Sequence, residues 1–494
     1  MLRGYLGRMG RKLPPVTIPG YYERLAHTTR SWIDRRGIGQ ISPDDALSFE
    51  EWLETRNNYN AKRKDELRKI NEEVVDLLER NDDGELMHFA VKLFCKDENY
   101  IDFKMNRGIY AREDVAKVFF GPACAKIEEI LYAQPEFIKH IPVKDRGSYV
   151  FDRLFEEGAR YVATDFSSYE CHFNAARQES CEFVLYDHVL NPSARGRLVV
   201  RIMREVLQGE NKIISRFFTG RVQARRMSGE MTTSLGNGFA NLMMMTDVCR
   251  SLGIDWDDII GVVEGDDGLF RFRGVAPTAD DFRSCGCDIK LDAYDRISEA
   301  SFCGLLFDET DKQVIKDPYD IMCSIGLLSK QYSNARKGKK LALLRAKALS
   351  TLYQYPACPV IAEMSKHILR QTKHIDMRNV VEKCKSFDQW DRERYFEALK
   401  NHQYDSDIAI GVGTRLLFSE LYGMSIDTQL RLEEYFRTAT TLEPFQDDYI
   451  DYVLSTSKTM SRWQAYYNTY GIEFELVPNH HSVRFPMDQI HVDG

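Results

Sequence analysis

The sequence predicts an α+β protein with short strands in its central part and helices before and after them. Between residues 259 and 273, β-branched and aromatic residues form two short runs that meet at a glycine-bounded turn, which favours a strand–turn–strand. Apolar residues recur at spacings of three and four, as on the buried stripe of a helix, over residues 44–80, 341–355, 360–371, 378–402 and 426–439, and Ser425 can cap the last of these. At 494 residues and 43% hydrophobic composition, the chain can bury a core spread over several lobes.

Composition narrows the class of protein. The formal net charge of −8 argues against attraction of nucleic acid by the whole surface, so any polyanion must bind at local basic patches. The 11 cysteines are scattered and include no C-x-x-C pair, which favours free thiols in a reducing compartment. The sequence contains no run of 18 apolar residues, and the basic N-terminus is not followed by the apolar run of a signal peptide. We therefore expect no transmembrane segment in this chain.

The N-terminal part leads into a basic stretch. Residues 1–43 are rich in glycine, proline and arginine, which indicates an arm laid over a larger body. Residues 91–126 are strand-like and carry several basic side chains, and Arg107 and Arg112 would lie near one another if the stretch folds as strands. Their guanidinium groups could then clamp phosphates. A solvated hairpin, balanced by neighbouring acidic residues, explains the same pattern equally well.

Two adjacent carboxylates, Asp266 and Asp267, occupy the turn at residues 265–268. Close like charges repel, so a structure that keeps both ionised normally supplies a cation, and oxygen ligands suit magnesium or manganese. A glycine-flanked Asp-Asp pair is also a common solvated turn. A third carboxylate favours the metal interpretation, because Asp165 ends the short apolar strand predicted at residues 161–164, and Glu170 follows it.

A loop rich in small and hydroxylated residues lies between these acidic segments. It runs from Arg225 to Gly238 and leads into an apolar helix at residues 239–249. Glycines at 229, 236 and 238 remove side-chain obstruction, so a sugar or a backbone can approach closely. Taken alone, the loop is better explained as a helix cap rich in serine and threonine.

The order of these segments resembles the palm of a viral RNA-dependent RNA polymerase. The match consists of Asp165 with Glu170, then Ser228-Gly229-x-x-x-Thr233-x-x-x-Asn237, then Gly265-Asp266-Asp267. The stretch from Lys96 to Arg112 is similar to the family's basic fingers motif. Segments 288–292 and 301–304 are similar to its later palm motif and to the hairpin that grips the primer end. The likeness covers about residues 91–305 and is nearest to positive-strand RNA viruses of the tombusvirus- and nodavirus-like kind.

The resemblance implies a right-hand polymerase fold with fingers, a palm made of an antiparallel sheet flanked by helices, and a mostly helical thumb. The implied parts are residues 1–90 as the N-terminal arm and helical part of the fingers, 91–160 as fingers with the basic motif, 161–180 as palm with the first motif, 181–227 as a fingers insertion, 228–307 as palm with the later motifs, and 308–494 as helical thumb and C-terminal tail.

The resemblance also implies the chemistry of the site. Two Mg²⁺ or Mn²⁺ ions would be bridged by Asp165 and Asp266, with Asp267 as a weaker ligand and the Phe166 carbonyl contributing. Lys290 would protonate the pyrophosphate. Further residues would bind the incoming nucleotide, and these are Glu170, Ser228, Gly229, Thr233 and Asn237 at the ribose and Lys96, Lys104, Arg107 and Arg112 at the triphosphate. Glu170 stands where the family usually has Asp.

Further basic residues are expected to contact the RNA backbone. Residues 330–347 contain no acid and lie where the resemblance places the junction of palm and thumb. A solvated helix face is the alternative for this run. The expected RNA-binding side chains are Arg225, Arg226, Lys330, Arg336, Lys337, Lys339 and Lys340.

The implied partners are an RNA template, the product strand, ribonucleoside triphosphates and other viral replication proteins. The last would bring the chain to membrane-associated replication complexes in the host cytoplasm. A reverse transcriptase is an alternative, although that class usually has an aromatic residue two positions before its Asp-Asp pair, where this chain has Glu264. A catalytically silent RNA-binding accessory protein is another, and the intact acidic residues argue against it.

Overall fold

A computed structural model describes residues 1–56, 59–79, 90–96, 105, 107–142, 145–326, 332, 334–377, 395–399, 408–442 and 447. These residues form helices and largely antiparallel sheets, which confirms the α+β prediction. Lys104 and Lys330 lie outside the described residues, as does most of the helix predicted at 378–402. Among the described helices, none combines the length and the apolar character needed to cross a bilayer.

The N-terminal part is helical. Its helices are α1 (Leu2–Met9), α2 (Tyr21–Arg36), α3 (Phe49–Glu54) and α4 (Ala61–Glu79). Helix α2 ends at Gly37, whose φ of 57° is a left-handed conformation that glycine adopts without strain. Thr28 and Arg24 of α2 both hydrogen-bond to the buried carboxylate of Asp247, so this part of the arm is tied to the body of the protein.

The basic stretch contributes two strands to a four-stranded sheet. Strands β1 (Val91–Cys95) and β2 (Gly108–Arg112) pair antiparallel, which confirms part of the strand-like character predicted for residues 91–126. The prediction is wrong for residues 114–126, which are helical. β1 also pairs in parallel with β4 (Glu210–Ser215), which forms a hairpin with β5 (Thr219–Gln223). The helices between β2 and β4 are α5 (Asp114–Tyr132), α6 (Arg146–Leu154), α7 (Ala175–Ser180), α8 (Glu182–Leu190) and α9 (Ala194–Gln208).

A second four-stranded sheet is antiparallel throughout and has the order β6-β7-β3-β8. Its strands are β3 (Arg160–Phe166), β6 (Ile260–Glu264), β7 (Asp267–Phe272) and β8 (Ile289–Tyr294), and α10 (Thr233–Ser251) and α11 (Ala279–Ser284) accompany them.

Side chains alternate between the two faces of this sheet. Val162 and Phe270 belong to the apolar cluster that contains Phe239 of α10. Their neighbours Tyr161 and Leu269 belong to the cluster on the other face, together with residues of α6. Because the side-chain period of a strand is two, this alternation also fixes the face to which each polar residue of β3 and β7 points.

The C-terminal part has its own apolar core. It contains β9 (Leu306–Phe307), β10 (Val314–Ile315), α12 (Pro318–Ile325), α13 (Lys337–Gln354), α14 (Ile361–Gln371), α15 (Val412–Tyr422) and α16 (Ile426–Thr438). The helices predicted at 341–355, 360–371 and 426–439 correspond to α13, α14 and α16. Ser425 caps α16 by accepting a hydrogen bond from the Thr428 amide, as its sequence position predicted.

Candidate active site

Strand register brings the predicted acidic residues to one end of the central sheet. β3 lies between β7 and β8, and its Thr164 pairs with Gly268 of β7. Asp165 is the next residue of β3 and is therefore adjacent to Asp267, the first residue of β7. Val162 and Phe270 point towards α10. Asp165 and Asp267 each lie three residues from one of them on the same strand, so both carboxylates point to the opposite face of the sheet.

The β6–β7 hairpin closes with a two-residue turn, Gly265-Asp266, between the paired residues Glu264 and Asp267. Gly265 has a φ of 61°, in the left-handed region that such tight turns require. Asp266 alone therefore occupies the tip, whereas the sequence suggested that both aspartates would.

Helix α10 holds this turn through the side chain of Asn241. The Asn241 side-chain amide donates to the carbonyl oxygen of Asp266 at 3.0 Å, and the Thr164 hydroxyl lies 3.4 Å from the same amide. A Cβ at Gly268 would lie 2.8 Å from the Thr164 hydroxyl oxygen, so only glycine leaves room for this packing. The sequence analysis did not identify Asn241. Its signal was an amide inside an otherwise apolar helix, because a buried amide needs a hydrogen-bond partner.

Negative charge is concentrated at this end of the sheet. The pKa of Asp267 is raised to about 6. The main cause is desolvation of the carboxylate, followed by the negative charge of Asp266 and, more weakly, that of Asp165. Part of the residue is nevertheless exposed at the surface. A hydrogen bond from the Cys303 thiol opposes this rise in the pKa. Arg146 lies 3.3 Å from the Glu264 carboxylate and balances that neighbouring charge.

The donor set fits a hard divalent cation. Asp165, Asp266 and Asp267 supply carboxylate oxygens, and the Phe166 carbonyl belongs to the same strand end. In the part of the chain that the structure describes, no three His, Cys, Asp or Glu side chains are gathered into an assembled metal site. The carboxylates thus lie at one end of the sheet, but they are not gathered around a common point.

Lys290 lies directly opposite Asp165 on the neighbouring strand β8. Opposed residues of an antiparallel pair present their side chains on the same face, and both are exposed. The Lys290 ammonium forms an ion pair with Asp292 at 2.7 Å. This hydrogen bond raises the pKa of Lys290, so the side chain holds its proton more firmly.

The loop before α10 is fastened to β2. The Ser228 hydroxyl donates to the Gly108 carbonyl at 3.2 Å, and the Gly229 amide donates to the Tyr110 carbonyl at 3.0 Å. The Thr233 hydroxyl lies 2.9 Å from the Met227 carbonyl and closes the loop at the start of α10. Ser228 remains exposed, whereas Thr233 supports the loop.

Asn237 has a defined orientation. Its side-chain oxygen accepts a hydrogen bond from Arg226 at 3.1 Å, and its backbone carbonyl accepts one from Tyr169 at 3.1 Å. The amide oxygen thus already accepts one hydrogen bond from the protein. The amide nitrogen is the group through which Asn237 can donate to a ligand.

Arg226 is an internal structural residue, which corrects the expectation that it contacts RNA. Its side chain is 1% exposed and forms an ion pair with Glu182, whose side chain is equally buried. Arg226 also donates to the Thr232 hydroxyl at 2.9 Å and lies 3.4 Å from Glu230. Its guanidinium joins the loop before α10 to α8 and is turned away from solvent.

Arg112 is likewise internal, which corrects its predicted role at the triphosphate. It forms an ion pair with Glu230 at 2.9 Å and donates to Asn211 at 2.6 Å, and the side chains of this ion pair are each 4% exposed. By contrast, Lys96 and Arg107 are exposed at the other end of the β1–β2 pair, where the chain leaves β1 and enters β2. Of the four residues predicted to bind the triphosphate, Lys96 and Arg107 are thus exposed, Arg112 is buried, and Lys104 lies outside the described residues.

Glu170 is buried and paired with the N-terminal helix, a contact that the sequence analysis did not predict. Arg8 of α1 contacts both Glu170 carboxylate oxygens, and its Nη2–Oε2 distance is 3.0 Å. Arg225, another predicted RNA-binding residue, is half-buried and donates to the Met9 carbonyl at 3.4 Å, and its contact with RNA remains a prediction.

The predicted basic run at the start of the C-terminal part is exposed. Arg336 precedes α13, and Lys337, Lys339 and Lys340 occupy its first turn without an acidic neighbour there. Cations at a helix N-terminus are unfavourable because they face the positive end of the helix dipole. Helix stability therefore does not explain this placement.

Neither the known protein-family models nor the curated proteins include a match to this chain.

Proposed function

We propose that the protein is an RNA-dependent RNA polymerase that copies a viral RNA genome by template-directed ribonucleotidyl transfer. The observation that carries the proposal is the strand register that brings Asp165 beside the Gly265-Asp266 turn of the neighbouring hairpin. An acidic strand end next to an acidic hairpin turn, in an antiparallel sheet backed by a helix, is the arrangement that the resemblance implies for a polymerase palm.

In this proposal the sheet β6-β7-β3-β8 with α10 is the palm, the sheet β2-β1-β4-β5 belongs to the fingers, and α12 to α16 form the thumb. The division of the chain into six parts, as predicted from the sequence, remains a prediction.

The reaction is attack of the 3′-hydroxyl of the growing strand on the α-phosphate of a nucleoside triphosphate, with release of pyrophosphate. Asp165 and Asp266 would hold two divalent ions, supported by Asp267 and the Phe166 carbonyl. When bound, such ions stabilise negative charge on the attacking and leaving oxygens. Asn241 keeps the Asp266 turn in place, and Lys290 is the proton donor to the departing pyrophosphate.

Sugar selection would depend on Asn237, Ser228 and Glu170. Arg226 donates to the Asn237 side-chain oxygen, so the amide nitrogen would donate to the ribose, and the exposed Ser228 hydroxyl lies in the loop before the same helix. A site whose polar groups are satisfied by a ribose hydroxyl disfavours a deoxy sugar, because those groups would then remain unpaired.

Primer extension with the unaltered protein tests the proposal and separates it from the reverse transcriptase alternative. RNA and DNA templates are each combined with ribonucleotides or deoxyribonucleotides, in magnesium or manganese. We expect extension on RNA with ribonucleotides. Preference for deoxyribonucleotides would indicate a reverse transcriptase, and RNA binding without any extension would indicate an accessory protein. Either result would contradict the proposal.

A further inference from the structure

The N-terminal helix is anchored against the sheet β2-β1-β4-β5. Tyr5 and Met9 are 7% and 1% exposed and belong to an apolar cluster with β-strand residues such as Leu93 and Ile213. A Cβ at Gly220 would lie 2.5 Å from the Tyr5 hydroxyl oxygen, so the strand approaches this helix closely. Helix α1 is therefore held by packing that does not involve Glu170.

From this anchored position, α1 reaches the turn that carries Glu170. The turn Tyr169–His172 is a single 3₁₀ turn that directly follows β3, and α1 contacts it. The Cys171 thiol contacts the Arg8 carbonyl, and both Glu170 carboxylate oxygens contact the Arg8 guanidinium. The planar fork of arginine matches a carboxylate in this way, which fixes the orientation of the carboxylate as well as its position.

A second tie lies at residue 11. Arg11 forms an ion pair with Asp288, which immediately precedes β8. The Asp288 amide in turn donates to the His172 ring at 2.9 Å. The segment from residue 5 to residue 11 thus packs on the sheet β2-β1-β4-β5 and is tied to Glu170, after β3, and to Asp288, before β8, at the acidic end of the other sheet.

Glu170 is longer by one methylene than the aspartate usual at this position in the resembling family, so its carboxylate has an additional rotatable bond to restrain. A carboxylate that is 9% exposed also needs a counter-charge, because burial deprives its charged form of solvation by water. Arg8 meets both needs. Each carboxylate oxygen has two lone pairs, so the Arg8 contacts leave acceptor capacity on Glu170 for a ligand hydroxyl.

We propose that Arg8 is a positioning residue for sugar selection, which holds the Glu170 carboxylate ready to accept a hydrogen bond from the ribose of the incoming nucleotide. This role rests on the proposed polymerase function. It makes the N-terminal helix part of the nucleotide site, although α1 lies about 160 residues away in sequence.

Steady-state primer extension with ATP and dATP tests the role. Arg8→Ala should raise KM for ATP about ten-fold, the loss expected when one charge-assisted hydrogen-bonding group is removed, and leave KM for dATP and both kcat values nearly unchanged. Arg8→Lys should restore part of the preference, because it returns the charge without the fork. Arg3→Ala is the matched control, since Arg3 lies on the same helix and is exposed.

Alkylation of Cys171, followed by mass spectrometry, distinguishes positioning from anchoring. This thiol is buried beneath α1, and removal of residues 1–12 should expose it. Arg8→Ala should leave it protected, because Tyr5 and Met9 still hold the helix. Labelling as strong as in the truncated protein would show that Arg8 merely anchors α1, and would overturn the proposal.

The kinetic outcomes also separate the two proposals. An active protein whose sugar preference is unchanged by Arg8→Ala, or whose rate rises because a blocking contact has been removed, would refute the role of Arg8 alone. Absence of extension by the unaltered protein with either nucleotide would refute the polymerase function, and the role of Arg8 with it.

Discussion

Asp165 and Lys290 occupy directly opposed positions on adjacent strands of the central sheet. The pairing places a carboxylate expected to bind metal and an exposed ammonium group on the same face. The ion pair between Lys290 and Asp292 keeps that ammonium protonated. A carboxylate expected to bind metal and a protonated ammonium thus lie side by side because of strand register alone.

Lys290→Gln should lower kcat for nucleotide incorporation about 100-fold, the range of general acid catalysis, with little change in KM. Asp292→Asn should instead lower the pKa of Lys290, because it removes the hydrogen bond that raises it. The alkaline limb of the kcat profile should therefore shift to lower pH in Asp292→Asn. Lys290 would be excluded as the acid if the alkaline limb of the kcat profile did not shift in Asp292→Asn, or if kcat did not fall in Lys290→Gln. Lys69→Gln, on α4, is the control.

The raised pKa of Asp267 predicts a compromise between stability and metal binding. An ordinary Asp titrates near pH 4, so between about pH 4 and 6 the folded protein retains a proton that the unfolded chain has lost. The folded state therefore loses stability as pH rises through this window, and the loss persists at pH 7. Asp267→Asn should raise the Tm of the metal-free protein at pH 7 and have little effect at pH 3.

The same variant should gain less Tm from added Mg²⁺, because it has lost a charged ligand. Asp280→Asn serves as control, since that side chain is exposed on α11. An equal Mg²⁺ response in Asp267→Asn and in the unaltered protein would show that Asp267 does not contribute to metal binding.

Arg226 should matter for stability. Arg226→Ala leaves the Glu182 carboxylate buried without its main counter-charge, which we expect to lower the free energy of unfolding by about 3 to 5 kcal/mol. Urea unfolding measures this, with Arg225→Ala, on the adjacent half-buried residue, as control. Arg226→Lys, which keeps the charge, should lose less. Equal unfolding midpoints for the Arg226→Ala and Arg225→Ala proteins would contradict the assignment of Arg226 to the interior network.

Charge reversal at Lys337 and Lys339 should weaken RNA binding and flatten its salt dependence. If each residue contacts one phosphate, the slope of log K against log salt falls in magnitude by about 1.4 for single-stranded RNA. The double reversal of Lys62 and Lys69, exposed on α4, controls for the change in net charge. Equal slopes for the two double variants would mean that the start of α13 is only solvated surface.

The sequence predicted those features of the site that depend on local pattern. Two short β-branched and aromatic runs around a glycine-bounded turn predicted the β6–β7 hairpin, and the strand end at Asp165 followed from the short apolar run before it. Gly265 at the turn was predicted because a tight hairpin needs a left-handed residue there. Helical spacing likewise located α13, α14 and α16.

The sequence did not predict which basic residues are buried. Arg112 and Arg226 were predicted to be exposed cations, because the residue type alone does not show whether an arginine is buried. Their partners Glu230 and Glu182 become neighbours only when α8, β2 and the loop before α10 pack together. Arg8 and Glu170 lie 162 residues apart, and no local period connects them.

Incorporation by Asp266→Ala tests the central claim most directly. Asp266 alone occupies the tip of the hairpin, and its backbone carbonyl, which is bound to Asn241, is retained in the variant. We predict that Asp266→Ala binds primed RNA as the unaltered protein does but adds no nucleotide in Mg²⁺ or Mn²⁺, while Asp280→Ala extends normally. Extension by Asp266→Ala at the rate of Asp280→Ala would contradict the assignment of this hairpin as the catalytic centre of a polymerase.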